Sequence, residues 1–156
     1  MLGGNLGDTG LYFSKAIDLL NERVGPVVSV SEIYISEPWG ISAQPVFRNQ
    51  AIVLKTSLSP VLILEQTKKI ESLLGRIKRE VNGPREIDID ILLIENLVFS
   101  DSQLDIPHPR LHLRKFNLLP LAEIAADWIH PVFHESISEL LTKCEDELQV
   151  TKQTDK

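Results

Sequence analysis

The chain has 156 residues, 43% of them hydrophobic, which suits a single domain with a substantial core. Acidic residues outnumber basic ones by 22 to 16, and this balance argues against a general binder of nucleic acids or membrane surfaces. A single cysteine forbids an internal disulfide, and no apolar run is long enough to span a bilayer or resembles an export signal. We therefore expect a cytoplasmic protein that contacts neither nucleic acid nor membrane.

The chain opens with a glycine-rich turn over residues 3–8 that leads into a helix. Apolar residues recur at helical spacing after it, and Asp8 or Thr9 can cap the first turn. The helix is predicted to end at Gly25. The turn matches neither of the common glycine motifs for phosphate, so a tight connection is the favoured interpretation. Little chain that could form a strand precedes it.

Two strands with a loop between them are predicted next. Residues 27–35 alternate and are rich in β-branched side chains, and residues 47–56 form the second strand. The loop over 36–45 contains Trp39 and two prolines. A loop of this length is typical of a binding site, although Trp39 could equally fill the core. Asn49, on the second strand, is either a solvated edge residue or a hydrogen-bonding partner for a planar heterocycle.

A second helix is predicted from the Ser59-Pro60 start signal to Gly75. The residues after it are strongly basic. Four of the 16 lysines and arginines lie between positions 75 and 85, namely Arg76, Lys78, Arg79 and Arg85. This basic loop leads into a pair of carboxylates. Such an arrangement is typical of a site for a metal-bound polyphosphate, because cations on both sides neutralise the charge of the phosphoryl oxygens.

The carboxylates belong to the stretch around which the chain is organised, a predicted strand over 87–94. Its odd positions are all aliphatic, whereas its even positions begin with Asp88 and Asp90. Two residues along a strand advance about 6.5 Å, so the two carboxylates can converge on one or two cations. Oxygen ligands of this kind suit Mg²⁺, which completes its shell with water and substrate phosphates. The alternative interpretation is the hydrated side of an edge strand.

The last third of the chain predicts a hairpin, a constrained histidine and one helix. Residues 97–99 are expected to return along the organising strand after a turn at Glu95-Asn96. His108 stands between two prolines, either as an oriented functional group or as a structural histidine. An apolar stripe from 137 to 148, with Cys144 on it, predicts the final helix.

Several short motifs, taken in order, resemble those of one known family. They are Gly3-Gly4-Asn5-Leu6-Gly7-Asp8, Ser36-Glu37-Pro38-Trp39-Gly40, Phe47-Arg48-Asn49, Ile70-Glu71 with Gly75-Arg76, Gly83-Pro84-Arg85 with Asp88-x-Asp90, and Ile106-Pro107-His108-Pro109-Arg110 with Arg114-x-Phe116. Together they resemble the 6-hydroxymethyl-7,8-dihydropterin pyrophosphokinases of folate biosynthesis. The match runs from residue 1 to about residue 131, and the joint order of the motifs is far more specific than any one of them.

The resemblance implies an α+β, ferredoxin-like fold with a mainly antiparallel sheet and helices on both faces. One domain is expected over residues 1–150, with a frayed tail over 151–156. The family opens with a hydrophobic strand, of which only Met1 and Leu2 are present here. We therefore expect either a truncated first strand or a neighbouring strand that is partly unpaired. The implied reaction transfers the ATP β,γ-diphosphate to the pterin hydroxymethyl group and releases AMP.

Site roles carried over by matching position fall into three groups. The implied metal ligands are Asp88 and Asp90, which would hold two Mg²⁺ ions on the triphosphate, and the implied catalytic residues are Arg76, Arg85 and Asp90. The implied ATP-binding residues are Glu71, Lys78, Arg79, Arg85, Ile91, His108 and Arg114. The implied pterin-binding residues are Ser36, Pro38, Trp39, Gly40, Phe47, Asn49 and Phe116, with the two phenyl rings on opposite faces of the pterin.

The resemblance also sets expectations about partners and motion. ATP and the pterin are the expected ligands, and a monomer or a weak homodimer is the expected state. The segments 36–46 and 75–85 are predicted to close over bound nucleotide. Three positions depart from the family pattern: Gly4 stands where a serine is usual, Lys68 where a glutamine is common, and Asn82 where some members carry a tryptophan.

The residues alone leave two other classes of protein open. A metal-dependent nucleotidyltransferase or nuclease would use the same carboxylates, although the net charge of −6 suits a polyanionic substrate poorly. A non-catalytic, ferredoxin-like regulatory module would explain the fold but would leave the basic loop and the aspartate pair without a purpose.

Overall fold

The computed structural model describes residues 1–154, and these form short strands and four α-helices. The strands are β1 Leu2–Gly4, β2 Val27–Val30, β3 Tyr34–Ser36, β4 Phe47–Gln50, β5 Ile52–Leu54, β6 Asp88–Ile89, β7 Phe99–Ser100, β8 Asp105–Ile106 and β9 Val150–Lys152. The helices are α1 Thr9–Arg23, α2 Pro60–Leu73, α3 Lys115–Ala125 and α4 Ile137–Lys143, with a 3₁₀ turn at Leu111–Leu113.

Five strands form the main sheet, in the order β6-β1-β4-β3-β9, and every pairing in it is antiparallel. Two further antiparallel pairs, β2 with β5 and β7 with β8, stand beside it. The prediction of an α+β fold with a mainly antiparallel sheet is confirmed.

Helices cover both faces of the strand layer. Alternate residues of a strand point to opposite faces, and along residues 51–54, which are Ala51 and β5, they join two different cores. Ile52 and Leu54 pack against the core that contains α1 and α2, whereas Ala51 and Val53 belong to the core formed with α3 and α4. This arrangement confirms the predicted placement of helices on both faces.

The predicted helix starts are confirmed by their capping contacts. Asp8 Oδ1 accepts a hydrogen bond of 3.0 Å from Leu11 N at the start of α1. Ser59 Oγ accepts a hydrogen bond of 3.4 Å from Leu62 N at the start of α2. Gly75 follows α2 with φ of 85°, a left-handed conformation that suits glycine and ends the helix.

Each of the two long strands predicted in the first third is instead a pair of short strands. Residues 27–35 divide into β2 and β3, and residues 47–56 divide into β4 and β5. The cause is a contact between the two segments, because Ser31 Oγ accepts the hydrogen bond of Ala51 N at 2.9 Å while Ser31 N donates to Ala51 O. A side chain thus replaces one rung of the ladder, and the two halves pair in different sheets.

The strand predicted over 87–94 is paired only at β6, so that prediction is wrong for its second half. β1 lies between β4 and β6 and its pairing reaches back only to Leu2. Past Leu2, a largely apolar cavity lies between β5 and residues 91–94. Residues 91–94 form no strand, and the turn before α1 follows the short strand β1, so the expectation of a truncated first strand or a partly unpaired neighbour stays a prediction.

The predicted hairpin return is also wrong. The chain turns at Glu95, but Phe99 pairs with Ile106 of β8 and not with the organising strand. The hairpin closes instead at Asp101, whose Oδ1 accepts hydrogen bonds from Gln103 N and Leu104 N. An aspartate turn of this kind holds its own backbone and competes with longer-range pairing.

The C-terminal region differs from its prediction in three ways. α4 ends at Lys143, so Cys144 caps it and only borders the core, while Leu148 lies beyond the helix. α3 was not predicted, since Pro120 within it disfavours a helix. The tail expected to be frayed from residue 151 contributes to β9, which pairs with β3 along the edge of the sheet. Residues 155–156 of that predicted tail lie outside the described residues.

Within residues 1–154, no helix combines the length and the apolar character that crossing a bilayer requires.

Candidate active site

One pocket lies where β1, β3, β4, β6 and the start of α3 meet. Among its lining residues are Gly3, Ser36, Trp39, Phe47, Asn49, Asn82, Arg85, Asp88, Asp90, Arg114, Phe116 and Asn117. These come from five distant parts of the chain. The pocket brings together most of the residues predicted for the pterin, both predicted metal ligands and, of the arginines predicted for ATP, Arg85 and Arg114, whereas Arg76 is not part of its lining.

Strand register places the polar base of the pocket. Phe47 and Asn49 are two residues apart on β4, so their side chains share one face, and both are buried. β3 pairs with β4 so that Ser36 stands opposite Phe47. The amide Nδ2 of Asn49 donates a hydrogen bond of 2.9 Å to Ser36 Oγ and approaches Tyr34 O at 3.5 Å. The orientation of the Asn49 carboxamide is thereby fixed.

Arginine side chains cover the aromatic walls of the pocket. The Arg85 guanidinium lies 4.9 Å from the centre of the Phe47 ring. The Arg114 guanidinium lies 4.5 Å from the Trp39 ring and 5.3 Å from the Phe116 ring. These are cation–π distances. A guanidinium group of the same pocket thus lies over each of these three rings.

Asp88 is held by two of the predicted phosphate-binding arginines. Its Oδ1 accepts a hydrogen bond of 2.6 Å from Arg76, and its Oδ2 lies 3.1 Å from Arg85 Nε in an ion pair that lacks hydrogen-bond alignment. Burial opposes ionisation of Asp88, but the charges of Arg85 and Arg76 outweigh burial and lower its pKa. The carboxylate is therefore negatively charged at neutral pH.

Glu71 lies behind this pair as a buried acceptor, with a side chain only 4% exposed. It accepts a hydrogen bond of 2.7 Å from Ile89 N and forms ion pairs with Arg76 at 2.6 Å and with Lys68 at 3.0 Å. Burial raises the pKa of Glu71, and the contact with Lys68 only partly offsets this effect. Glu71, predicted to lie on the ATP side, here joins α2 to β6 and orients Arg76.

Asp90 contrasts with Asp88 in its surroundings. Its carboxylate lines the pocket, and within residues 1–154 it has no side-chain hydrogen bond or ion pair. Two carboxylates at one pocket, next to arginines that can bind phosphate, form a donor set that fits Mg²⁺ completed by water and phosphate oxygens. No cluster of three metal-ligating side chains occurs in this described range, so the protein would supply only part of the shell.

Asn5 is a site residue that the sequence analysis missed. Its Oδ1 accepts a hydrogen bond of 2.9 Å from Arg85 N, and its Nδ2 donates to Gln44 Oε1 at 3.1 Å and Pro45 O at 2.9 Å. Gln44 Nε2 in turn donates to Asn82 O at 2.9 Å. The asparagine of the glycine-rich turn thus connects the loop before β4 with the loop before β6. The sequence signal for this role was the presence of an asparagine within the glycine-rich turn over residues 3–8.

Two residues of the basic loop that were predicted to bind ATP are absent from the pocket lining. Arg79 forms a two-pronged ion pair with Glu86, at 2.9 and 2.7 Å. The hydrogen bonds from Arg79 lower the pKa of Glu86 to about 2. Lys78 is exposed. The structure does not bring either residue to the pocket.

Two residues predicted for ATP after the aspartate pair also lie outside the lining. His108 N donates a hydrogen bond of 2.8 Å to Leu92 O, and His108 Nδ1 accepts one of 3.1 Å from Arg110 N. Burial lowers the pKa of His108, which Asp90 opposes and Arg114 and Arg110 reinforce. The Ile91 side chain packs with the α1 and α2 core and borders the apolar cavity next to β5.

The loop after β3 contributes Glu37 and Trp39 to the pocket lining, but not Pro38 or Gly40. Gly40 has φ of 89°, which a residue with a side chain adopts with strain, and an added Cβ would lie 3.6 Å from Asn82 Nδ2. Gly40 therefore allows this loop to approach the loop before β6.

Comparisons with known proteins agree with this geometry. Residues 1–126 match the family described as 7,8-dihydro-6-hydroxymethylpterin-pyrophosphokinase (HPPK). The chain is 42% identical over 138 residues to an Aquifex aeolicus protein named 2-amino-4-hydroxy-6-hydroxymethyldihydropteridine pyrophosphokinase, covering 88% of this chain and 86% of that protein. It is 44% identical to a Bacillus subtilis protein of the same name, covering 79% of this chain and 74% of that protein.

Solved structures show the same fold at low sequence identity. A Plasmodium falciparum HPPK-DHPS crystal structure with SDX-DHP matches with a TM-score of 0.69 at 18% identity. A crystal structure of HPPK-DHPS in complex with substrates matches with a TM-score of 0.72 at 16% identity. Each alignment covers 91% of this chain and 42% of the solved chain, so this chain spans less than half the length of those proteins. Taken with the family match over residues 1–126, these results show that the chain belongs to the 7,8-dihydro-6-hydroxymethylpterin-pyrophosphokinase family.

Proposed function

We propose that this protein transfers the diphosphate of ATP to the hydroxymethyl group of 6-hydroxymethyl-7,8-dihydropterin, giving the pterin diphosphate and AMP for folate biosynthesis. Membership of the family and the shared name of its relatives support this activity. The observation that carries it is the pocket, whose lining brings together two aspartates, two arginines and the phenyl side chains of Phe47 and Phe116.

The pterin would bind at the aromatic end of the pocket. Phe47 and Phe116 would stack on its two faces, and Asn49 would read one edge of the ring with its carboxamide. Main-chain groups of residues 36–40 would contribute further polar contacts. Pro38 and Gly40 would thus take part in pterin binding through their backbone.

The triphosphate would bind between the aspartate pair and the basic loop. We assign Asp88 and Asp90 as the residues that hold two Mg²⁺ ions, which when bound neutralise and orient the triphosphate. Arg76 and Arg85 both pair with Asp88, so phosphate oxygens would compete with this carboxylate for the two guanidinium groups. The nucleotide side would be completed by Glu71, Lys78, Arg79, Ile91, His108 and Arg114. At Ile91 a main-chain contact to the nucleotide would be enough.

Catalysis would depend on placement and charge neutralisation and would need no covalent intermediate. The pterin hydroxyl must lie in line with the β-phosphorus, and both ligands share this pocket. Arg76 and Arg85 would stabilise the charge that spreads over the transferred group. Asp90, whose carboxylate has no partner within residues 1–154, is the group available to accept the hydroxyl proton.

The arginines over the rings predict that the two ligands bind cooperatively. Arg85 and Arg114 cover Phe47, Trp39 and Phe116, so the pterin can stack only after they move. Phosphate would draw both guanidinium groups off the rings. Closure of the segments 36–46 and 75–85 would accompany this exchange, since Gln44 and Asn82 already connect them.

Titration calorimetry with Mg²⁺, a non-hydrolysable ATP analogue and the dihydropterin tests this function. We expect tight pterin binding only after the analogue is present, and AMP as the product when ATP replaces it. A nucleotidyltransferase would bind nucleotide without pterin, and a regulatory module would bind neither. Failure to bind the pterin in the presence of the analogue would refute the proposal.

We also propose that the protein acts as a cytoplasmic monomer or weak homodimer. The single cysteine, Cys144, is free and half-buried, in keeping with a reducing compartment. Sedimentation analysis over a range of concentrations measures the oligomeric state directly.

A further inference from the structure

The pocket contains a buried polar group that the reaction described above does not use. Asn117 is the third residue of α3, is 2% exposed and lines the pocket together with Phe116 and Asn49. Its carbonyl oxygen Oδ1 is buried and accepts no hydrogen bond from any described residue. No role was assigned to it by sequence reasoning.

An unpaired buried carbonyl destabilises the protein that contains it, because it has lost water without gaining a donor. Apolar residues fill the neighbouring buried positions of α3, at Leu118 and Leu121. An apolar residue would therefore also suit position 117 if packing alone determined it. The carboxamide is explained if a donor reaches Oδ1 when a ligand enters the pocket.

Asn49 shows which chemistry the ligand must offer. Its Nδ2 is committed to Ser36 and Tyr34, which leaves Asn49 Oδ1 as the acceptor. Gly3 keeps the space beside that oxygen open, since a Cβ there would lie 3.7 Å from it. The pocket thus presents two carboxamide oxygens, and a ligand that satisfies both must carry hydrogen-bond donors on more than one part of a flat ring.

A 7,8-dihydropterin has such donors, at its 2-amino group, N3 and N8. We propose that Asn117 is a second substrate-binding residue, whose Oδ1 accepts a hydrogen bond from a ring N–H of the pterin. This inference rests on the proposed function and adds a recognition contact beyond Asn49. The same contact would discriminate against flat heterocycles of similar size that lack the donor.

The test compares Asn117→Leu, which keeps the size but removes the acceptor, with Asn117→Asp, which keeps an acceptor oxygen. Pterin affinity is measured by calorimetry with Mg²⁺ and the ATP analogue present. We expect Asn117→Leu to weaken pterin binding by about 5-fold to 20-fold, the effect of one hydrogen bond. Affinity for the ATP analogue should be unchanged, and Asn117→Asp should recover part of the loss. Asn96→Leu, in an exposed turn, is the matched control and should bind as the parent does.

Thermal unfolding without ligand separates recognition from a structural role. Removal of an unpaired acceptor should leave the melting temperature of Asn117→Leu equal to or above that of the parent. A lower melting temperature with equal losses of pterin and ATP affinity would overturn the inference, as would unchanged pterin affinity. A parent protein that binds no pterin would overturn the proposed function as well, whereas a parent that binds pterin no better than Asn117→Leu would overturn this inference alone.

Discussion

The two ends of the pocket are built in different ways. We call the phosphate end the group Glu71, Arg76, Arg85, Asp88 and Asp90, and the ring end the group Ser36, Phe47, Asn49, Phe116 and Asn117. At the phosphate end, four of the five side chains satisfy one another through ion pairs within one stretch of the chain. At the ring end, three separate segments meet, and arginines cover its rings.

The difference indicates that the phosphate end is organised before ligands bind, whereas the ring end is not. Charges at the phosphate end are neutralised by protein groups that would be exchanged for phosphate, so binding there changes partners without creating a new framework. Under the proposed function, the ring end would stay covered by arginines until those exchanges occur. Arg85 belongs to both ends, since it contacts Asp88 and covers Phe47. The variants below test this division, beginning with the largest expected effect.

Asp90→Ala should reduce turnover most, by about a thousandfold or more, because it removes the carboxylate that we propose as a metal ligand and proton acceptor. The fold should persist, since this side chain makes no hydrogen bond or ion pair within residues 1–154. AMP formation under saturating ATP and pterin measures the effect. Asp127→Ala, at an exposed position, is the control, and parental turnover in Asp90→Ala would exclude the metal role.

Arg85→Ala should reduce turnover by about 100-fold, because one phosphate-binding cation is lost from the transition state. Pterin affinity should change much less, and the affinity measured without nucleotide should rise, since Phe47 is uncovered. Steady-state kinetics and calorimetry separate the two effects. Full activity in Arg85→Ala would remove this residue from the mechanism and with it the link between the two ends.

Glu71→Ala should destabilise the fold by about 2 to 4 kcal/mol, because it leaves Ile89 N and Arg76 without their buried acceptor. Urea denaturation at neutral pH measures the change. Glu65→Ala, which breaks only the exposed pair with Lys69, should cost less than about 1 kcal/mol. Equal effects in the two variants would show that the phosphate end is not organised around Glu71.

The smallest expected effect concerns the support of the ring end. Tyr34 on β3 donates a hydrogen bond of 2.7 Å to Glu123 on α3, and these two elements carry Ser36 and Phe116. Burial, together with this bond, raises the pKa of Tyr34 from 10.0 to about 12. Because the folded pKa lies above the unfolded one, the stabilisation is complete below pH 10 and is lost as pH rises towards 12.

Urea midpoints at pH 9 and pH 11 should therefore differ more for the parent than for Tyr34→Phe. Tyr12→Phe is the control. It removes a different tyrosine hydroxyl, leaves the bond from Tyr34 to Glu123 in place, and should behave as the parent does. The same alkaline loss in parent and Tyr34→Phe would show that Tyr34 does not connect β3 to α3 in this way.

Much of the phosphate end was predictable because its signals are local. The basic loop and the aspartate pair follow one another within about 15 residues, and Arg76 and Arg85 both pair with Asp88 inside that stretch. The helix caps at Asp8 and Ser59 were predictable for the same reason. The predictions that failed depended on distant partners. Ser31 interrupts two strands only because Ala51 lies opposite, and β9 forms only because β3 offers an edge.

The sequence by itself determined the family, the α+β class and the residue types that can bind a metal-bound triphosphate, since motifs, periodicity and charge are written along the chain. Tertiary structure alone decided that Asn5 joins two loops, that Asn117 enters the pocket and that arginines cover the rings. These features depend on register and on packing between elements far apart in sequence. A buried acceptor such as Asn117 Oδ1 gains a meaning only when its surroundings, and the donors missing from them, are known.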